Sequence, residues 1–255
     1  MQFSANLGFL WAELKLPDAI RAAKAAGFDA VECHWPYDID PAHVKAALSE
    51  TRLPMLGINT SRGDVAAGDN GLSALPDRIP EARAAIDQAV AYGEAIGARN
   101  IHVMAGFATG AEAHRTFVSN LQYACGLAGS KDISILIEPL NRYDAPGYFL
   151  QTTDQATIII AEVGVPNLKL MFDCYHVQLM EGDLTHKLTH LQNHIGHIQF
   201  ASVPDRGAPD HGEVNFDHIF DVIKRLGYSK PLGAEYKPQG PTNLSLNWLK
   251  TAQLI

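Results

Sequence analysis

A helix, a glycine, a few turn residues and an apolar strand recur along this chain, and that rhythm restricts the fold more than any other feature. It reads Ala26-Gly27-Phe28-Asp29-Ala30-Val31-Glu32, then Ile96-Gly97-Ala98-Arg99-Asn100-Ile101-His102-Val103. It returns at Gly129 before the strand beginning at Ile133, at Gly164 before Leu168, and at Gly227 before Leu232. A glycine just past a helix takes the left-handed C′ conformation without a Cβ clash. One residue thus ends the helix and lets the chain double back into a strand.

Helix signals fill the gaps. Pro17 suits a first helical position, and Ile20, Ala23 and Ala26 follow at helical spacing. Between Pro80 and Gly97 the positions Ala82, Ile86, Ala89, Gly93 and Ile96 share one face, with Glu81, Arg83, Asp87 and Glu94 on the other. Asn215 is placed to cap a helix carrying Phe220, Ile223 and Leu226. Further helices are expected near 41–50, 111–128, 153–163, 184–194 and 243–253. Strands are expected near 3–7, 29–33, 54–59, 100–104, 133–138, 168–173, 196–201 and 231–236. Strict alternation of strand and helix implies a parallel sheet. Eight units imply closure into a single α/β domain, a (β/α)8 TIM barrel spanning 1–255. An open doubly wound sheet is the runner-up, but no Gly-x-Gly-x-x-Gly follows the first strand. No Pro/Ser-rich linker divides the chain, and 47% hydrophobic residues supply a full core.

Strands five to eight each close on a polar residue. The runs are Ile133-Ser134-Ile135-Leu136-Ile137-Glu138, Leu168-Lys169-Leu170-Met171-Phe172-Asp173, His197-Ile198-Gln199 and Leu232-Gly233-Ala234-Glu235. Their spacing is near the ~30 residues that a strand, a helix and two loops occupy. Any one of them alone reads as a polar strand end facing solvent. Four in register on the C-terminal rim converge instead, and their oxygens suit one divalent metal ion, Mg2+ or Mn2+. His176, three residues beyond Asp173, could touch the metal, hold an alkoxide or carboxylate, or simply cap a loop. His102 ends strand four and points to the same rim. His34 follows strand two, where chance placement outweighs function.

The long polar loop Val203–Glu213 follows strand seven, and loops on this face usually carry function. Arg206 offers planar bidentate donors for a carboxylate, and Lys237, just past Glu235, offers a second cation. The formal net charge is −8, so an anionic substrate needs such local cations. The same charge argues against a nucleic-acid surface. A glycine-rich loop from Asn59 to Pro76 could act as a lid. It lacks the Gly-Lys-Ser/Thr ending of a P-loop, and no serine nucleophile elbow is present. His186/His190 and His194/His197 read as structural rather than as zinc pairs. Three unpaired cysteines, no membrane-length apolar run and no leader-like N-terminus point to a cytoplasmic protein. A homo-oligomer is left open.

Over nearly its whole length the chain resembles the hydroxypyruvate isomerase branch of the xylose isomerase-like TIM barrels, a branch that includes 2-oxo-tetronate isomerases. The residues that carry the resemblance are Gly27–Glu32, Gly71-Leu72-Ser73-Ala74-Leu75-Pro76 and His102-Val103-Met104-Ala105-Gly106. Pro204-Asp205-Arg206 with Gly212-Glu213-Val214-Asn215, and Gly233-Ala234-Glu235-Tyr236-Lys237-Pro238, complete it. The resemblance implies a divalent metal held by Glu138, Asp173, Gln199 and Glu235, with Glu138 and Glu235 as the acid/base pair. It implies isomerisation of a small 2-hydroxyaldehyde acid and its 2-keto acid by proton transfer through an enediolate. In the related keto-sugar epimerases and in endonuclease IV the third ligand is histidine; here it is Gln199. A keto-sugar epimerase or a dehydratase on the same scaffold is the nearest alternative. An endonuclease IV-like nuclease or a noncatalytic binding barrel stands further off.

Overall fold

A computed structural model describes residues 1–253. Its strands are β1 (Phe3–Asn6), β2 (Ala30–Glu32), β3 (Gly57–Asn59), β4 (Asn100–His102), β5 (Ser134–Ile137), β6 (Leu168–Asp173), β7 (Ile195–Phe200) and β8 (Leu232–Ala234). They pair in parallel in the order β2-β1-β8-β7-β6-β5-β4-β3. The ring is completed between β2 and β3 by a parallel bridge from Val31 to Met55. There the Val31 N–H donates to the Pro54 carbonyl at 3.0 Å and the Leu56 N–H to the Val31 carbonyl at 2.7 Å. The expected TIM barrel is what the chain forms, and the open doubly wound sheet is excluded.

The helices are α1 (Leu16–Ala25), α2 (Pro41–Thr51), α3 (Ile79–Ile96), α4 (Gly110–Gly129), α5 (Thr153–Val163), α6 (Cys174–Met180), α7 (Leu184–Leu191), α8 (Phe216–Arg225) and α9 (Asn247–Ala252). The helix-ending glycines behave as expected at four positions: Gly27, Gly97, Gly164 and Gly227 all have positive φ. Gly129 does not. It is the last helical residue of α4, Ser130 follows as a right-handed cap, and Asp132 takes the left-handed conformation, φ 55°, on the way into β5. Asn215 caps α8, its side chain accepting from the His218 N–H at 3.2 Å. The expected helix 184–194 stops at Leu191, and 243–253 divides into a 3-10 turn, Thr242–Ser245, and α9. The strand expected at 54–59 is regular only from Gly57.

Helix α8 buries Phe216, Ile219, Phe220, Val222 and Ile223. An aromatic cluster ties it to the barrel and to α9. Phe200 of β7 lies 5.0 Å from Phe220 and 5.4 Å from Trp248, and Phe3 of β1 lies 5.2 Å from Trp248, all ring to ring and edge-on. Edge-to-face pairs set the positive ring edge against the negative face and add about 0.5–1.5 kcal/mol each beyond area burial. Strands β7 and β1 are thereby anchored from outside while their C-terminal ends carry polar groups inside. Among the described residues no helix is long and apolar enough to cross a membrane.

Candidate active site

The strand ends at the C-terminal mouth of the barrel deliver polar side chains. Asn6, Glu32, His102, Glu138, Asp173, Gln199 and Glu235 are all buried there. Parallel register sets Asn6 beside Glu32 and Asp173 beside Gln199. Glu138 and Glu235 each follow the last residue of their strands, β5 and β8. Oxygens of Glu138 and Asp173 and a ring nitrogen of His176 lie within 4.8 Å of one another, close enough to share an ion. Arg206 joins Asp173 to Glu235: its Nη2 is 2.7 Å from Glu235 Oε2 and 3.7 Å from Asp173 Oδ2.

Three oxygens in this cluster, Glu138 Oε1, Asp173 Oδ2 and Gln199 Oε1, are buried without a hydrogen-bond partner. Unpaired buried acceptors are costly, so such a set calls for a cation or donor. The charge balance says the same. Burial, followed by the charges of Glu235 and Asp173, lifts the Glu138 carboxyl well above its ordinary range. Burial lifts Asp173 to about 7, with Glu235 adding to the rise and Arg206 opposing it. Burial pushes Glu235 upward too, but the Arg206 guanidinium and His34 outweigh it and bring Glu235 down to about 2. One guanidinium does not neutralise this many carboxylates. A hard divalent cation on carboxylate and amide oxygens fits the site.

The neighbouring histidines are fixed differently. The His176 Nδ1 accepts from the Asn141 N–H at 3.0 Å, which leaves the ring proton on Nε2. That Nε2–H faces Asp173 Oδ2 at 3.6 Å and Glu138 Oε1 at 3.9 Å. His176 is therefore a donor in this arrangement, although its position would suit a ligand. His102 lies 3.5 Å from Glu138 Oε2 with both ring nitrogens unpartnered, and burial drops its pKa to about 3. It stays neutral at physiological pH. His34, weighed above as chance placement, is part of the site: its Nε2 is 2.9 Å from Glu235 Oε1. It reaches there because Gly8 has no side chain, for a Cβ would fall 2.1 Å from His34 Nδ1.

Arg206 is held with φ 56°, a left-handed backbone conformation uncommon for a side-chain-bearing residue. Its N–H bonds the Ser202 carbonyl at 3.0 Å, and its carbonyl accepts from the Lys237 N–H at 2.7 Å. Arg206 Nη1 also reaches Asp144 Oδ2 at 3.3 Å. Arg206 and Lys237 both lie over the Phe9 ring, at 5.0 and 5.6 Å from its centroid. Arg206 Nε is buried with no partner. The two predicted cations therefore do share one place, but Arg206 is engaged by carboxylates of the chain itself.

The loop from Asn59 to Pro76 is only in part a free lid. Its second half is bound down: Gly71 bridges Ala105, and the Ser73 and Ala74 N–H groups donate to Met104 and Ala105 carbonyls at 3.2 and 2.7 Å. The first half is more open, with Arg62 stacked 3.8 Å over Trp35.

Four residues of the site carry no catalytic or ligand motif in the sequence: Asn6, Glu32, Asn141 and Asp144. Asn6 and Glu32 close β1 and β2, so the rule that found the four strand-end oxygens also covers them. Asn141 and Asp144 lie in the β5–α5 loop, where no periodic signal exists.

A model of the xylose isomerase-like TIM barrel family matches residues 20–252. The chain is 43% identical over 253 residues to the 2-oxo-tetronate isomerase of Cupriavidus necator, covering 98% of this chain and 97% of that one. It is 40% identical over 254 residues to the hydroxypyruvate isomerase of Escherichia coli K12, covering 98% of each. A crystal structure from Brucella melitensis, described as a family 2 AP endonuclease, superposes with a TM-score of 0.95 at 36% identity over 98% of both chains. The apo 3-keto-D-glucoside 4-epimerase of E. coli superposes at 0.82 with 20% identity over 98% of both, which shows the shared fold alone. On this full-length match the chain belongs to the xylose isomerase-like TIM barrel family.

Proposed function

We propose that the chain is an aldose–ketose type isomerase that interconverts a small 2-hydroxyaldehyde acid with its 2-keto acid. The substrate is hydroxypyruvate, in exchange with tartronate semialdehyde, or a 2-oxo-tetronate. The observation that carries this reading is the pair of glutamates. Glu138 follows β5 and Glu235 follows β8, and both carboxylates are buried at the barrel mouth, Glu138 beside Asp173 and Glu235 on Arg206. Moving a proton between adjacent carbons needs one group to take it and one to return it, and two carboxylates at the same mouth supply both. The full-length relatives named hydroxypyruvate isomerase and 2-oxo-tetronate isomerase support the same class.

Glu138, Asp173, Gln199 and Glu235 would hold one Mg2+ or Mn2+, whose charge polarises the substrate carbonyl and favours the enediolate. One glutamate then takes a proton from carbon and the other returns one to the neighbouring carbon. The Nε2–H of His176 is aimed where a developing alkoxide between Glu138 and Asp173 would need a donor. Arg206, with its unused Nε–H, and Lys237 across the Phe9 ring provide positive charge for the substrate carboxylate. One barrel spanning the chain carries the whole site. The acidic balance, −8, and three free buried thiols support a cytosolic protein that acts on small molecules rather than nucleic acid.

The test is proton NMR of the purified protein with Mg2+ and a panel of C3–C6 keto acids and ketoses in D2O. Isomerisation with solvent deuterium in the product is expected. Complete retention of substrate hydrogen over many turnovers would sink the proton-transfer step, and epimerised or dehydrated products would replace the reaction class.

Arg206→Ala is expected to lower kcat/KM for an acid by about tenfold or more, since a charge-assisted hydrogen bond is worth roughly 1.5–3 kcal/mol. A neutral ketose of similar size should lose less. Removing Arg206 also frees Glu235, so some loss is common to both substrates, and the ratio between them is the measurement. Equal losses would mean that Arg206 does not read the carboxylate.

A further inference from the structure

Next to the four proposed ligand oxygens lies a buried polar set, built round the single carboxylate of Glu32, that the proton transfer does not use. Glu32, at the end of β2, is 3% exposed. Three donors converge on it. His197 Nε2 lies 2.6 Å from its Oε2, Gln199 Nε2 lies 2.9 Å from its Oε1, and Asn6 Nδ2 lies 3.3 Å from the same Oε1. Asn6 Nδ2 also reaches Glu235 Oε1 at 2.9 Å.

The bond to Gln199 matters because a primary amide has two unlike ends. Its oxygen can ligate a hard cation and its NH2 group repels one. A half-turn about the terminal torsion exchanges them, and nothing in the side chain itself prefers either. A carboxylate accepts and does not donate, so Glu32 captures the NH2 end. The Gln199 oxygen is thereby turned away from Glu32 and left buried without a partner.

An independent feature shows that room is kept for this arrangement. Gly233 on β8 pairs in register with Gln199. A Cβ at Gly233 would fall 2.5 Å from Glu32 Oε1, 2.8 Å from Gln199 Cγ and 2.9 Å from His197 Nε2. The barrel wall is thinned at the one place where these three side chains meet.

We propose that Glu32 is a positioning residue that fixes the amide of Gln199 with its oxygen toward the cation, in a space that Gly233 provides. The idea rests on the cation reading above, and the experiment separates the two. Mn2+ binding to chelator-stripped protein is followed by the EPR signal of free Mn2+, with thermal melts as a check on folding. Glu32→Gln, which can offer its own NH2 to Gln199 and allow the flip, should raise the Kd for Mn2+ by about tenfold or more, as loss of such supporting partners does at other metal sites. Gln199→Ala should weaken binding as well. The decisive variant is the double one. If Glu32 acts through Gln199, then Glu32→Gln made in the Gln199→Ala background should change Kd by less than about twofold. Losses that multiply would overturn the proposal, because the lost charge or a loosened barrel would act with or without Gln199. Gly233→Ala keeps the Glu32 charge while crowding the set, and serves the same cycle if Glu32→Gln does not fold. It should weaken Mn2+ binding in the native background and add little in Gln199→Ala. Native affinity in Glu32→Gln would overturn the positioning role alone. Absence of Mn2+ binding in the stripped native protein would overturn the cation reading, and the positioning role with it.

Discussion

Glu138→Gln should lower kcat by about 10²–10⁴-fold, the range that a positioned acid or base contributes, while leaving KM nearly unchanged. The geometry makes Glu138 the cleaner of the two glutamates to test. Its Oε1 has no hydrogen-bond partner, and its Oε2 faces only His102 at 3.5 Å. The amide that replaces it breaks no structural bond and retains an oxygen for the cation. What it loses is the ability to carry the proton. Glu235 is bound on three sides, by Arg206 at 2.7 Å and by His34 and Asn6 at 2.9 Å each. Glu235→Gln therefore disturbs substrate binding and site charge together, and its loss should divide between kcat and KM. Metal content has to be measured in both variants, because both residues are also proposed ligands. A Glu138→Gln protein with full metal content and more than a tenth of the native kcat would remove Glu138 from the chemistry.

The parts of this site that could be read in the sequence were those set by strand register. Glu138, Asp173 and Glu235 close apolar runs, and a residue that closes such a run in a parallel barrel lies at the catalytic mouth. Glu32 and Asn6 obey the same rule. The strands expected at 3–7 and 29–33 run one residue past them, so Asn6 and Glu32 read as positions inside a strand rather than as its ending. His34 is a different case. Its contact with Glu235 spans most of the chain and depends on the missing Cβ of Gly8, and no local pattern encodes that. Helix α6 escaped because Cys174–Met180 is too short to show a period, and four of its residues are buried. Its start is fixed by the side chain of Asp173, which accepts from the Tyr175 N–H at 2.9 Å. That carboxylate divides its oxygens, Oδ1 to the helix cap and Oδ2 to the site, so one residue sets both the backbone turn and the chemistry. Gly129 failed as a left-handed helix stop. A glycine permits the left-handed turn without requiring it: α4 ends at Gly129 with Ser130 still right-handed as its cap, and the left-handed residue is Asp132.

Stripping the protein with a chelator should abolish turnover, and added Mg2+ or Mn2+ should restore it. A second readout that does not depend on activity follows from the same oxygens. In the stripped protein, burial holds the Asp173 carboxyl at about 7, against an ordinary value of 3.8. Glu138 is displaced in the same direction. The folded stripped protein therefore keeps protons that the unfolded chain releases. That contribution to stability is fully present below pH 4 and is lost as pH rises from about 4 through about 7. A bound cation would hold both groups as carboxylates, so the loaded protein should not show this loss. The Tm difference between loaded and stripped protein should accordingly widen from pH 5 to pH 7, under matched metal concentrations. Binding in this range should also release protons, and calorimetry in buffers of different ionisation heat would count them. Glu235, brought down to about 2 from an ordinary 4.5, is ionised in folded and unfolded chain alike well above pH 5, so it does not produce the widening toward pH 7. Full activity in a metal-free preparation would refute the cation outright. A Tm difference that stays flat across the same pH range would leave the cation in place but move it away from Asp173 and Glu138.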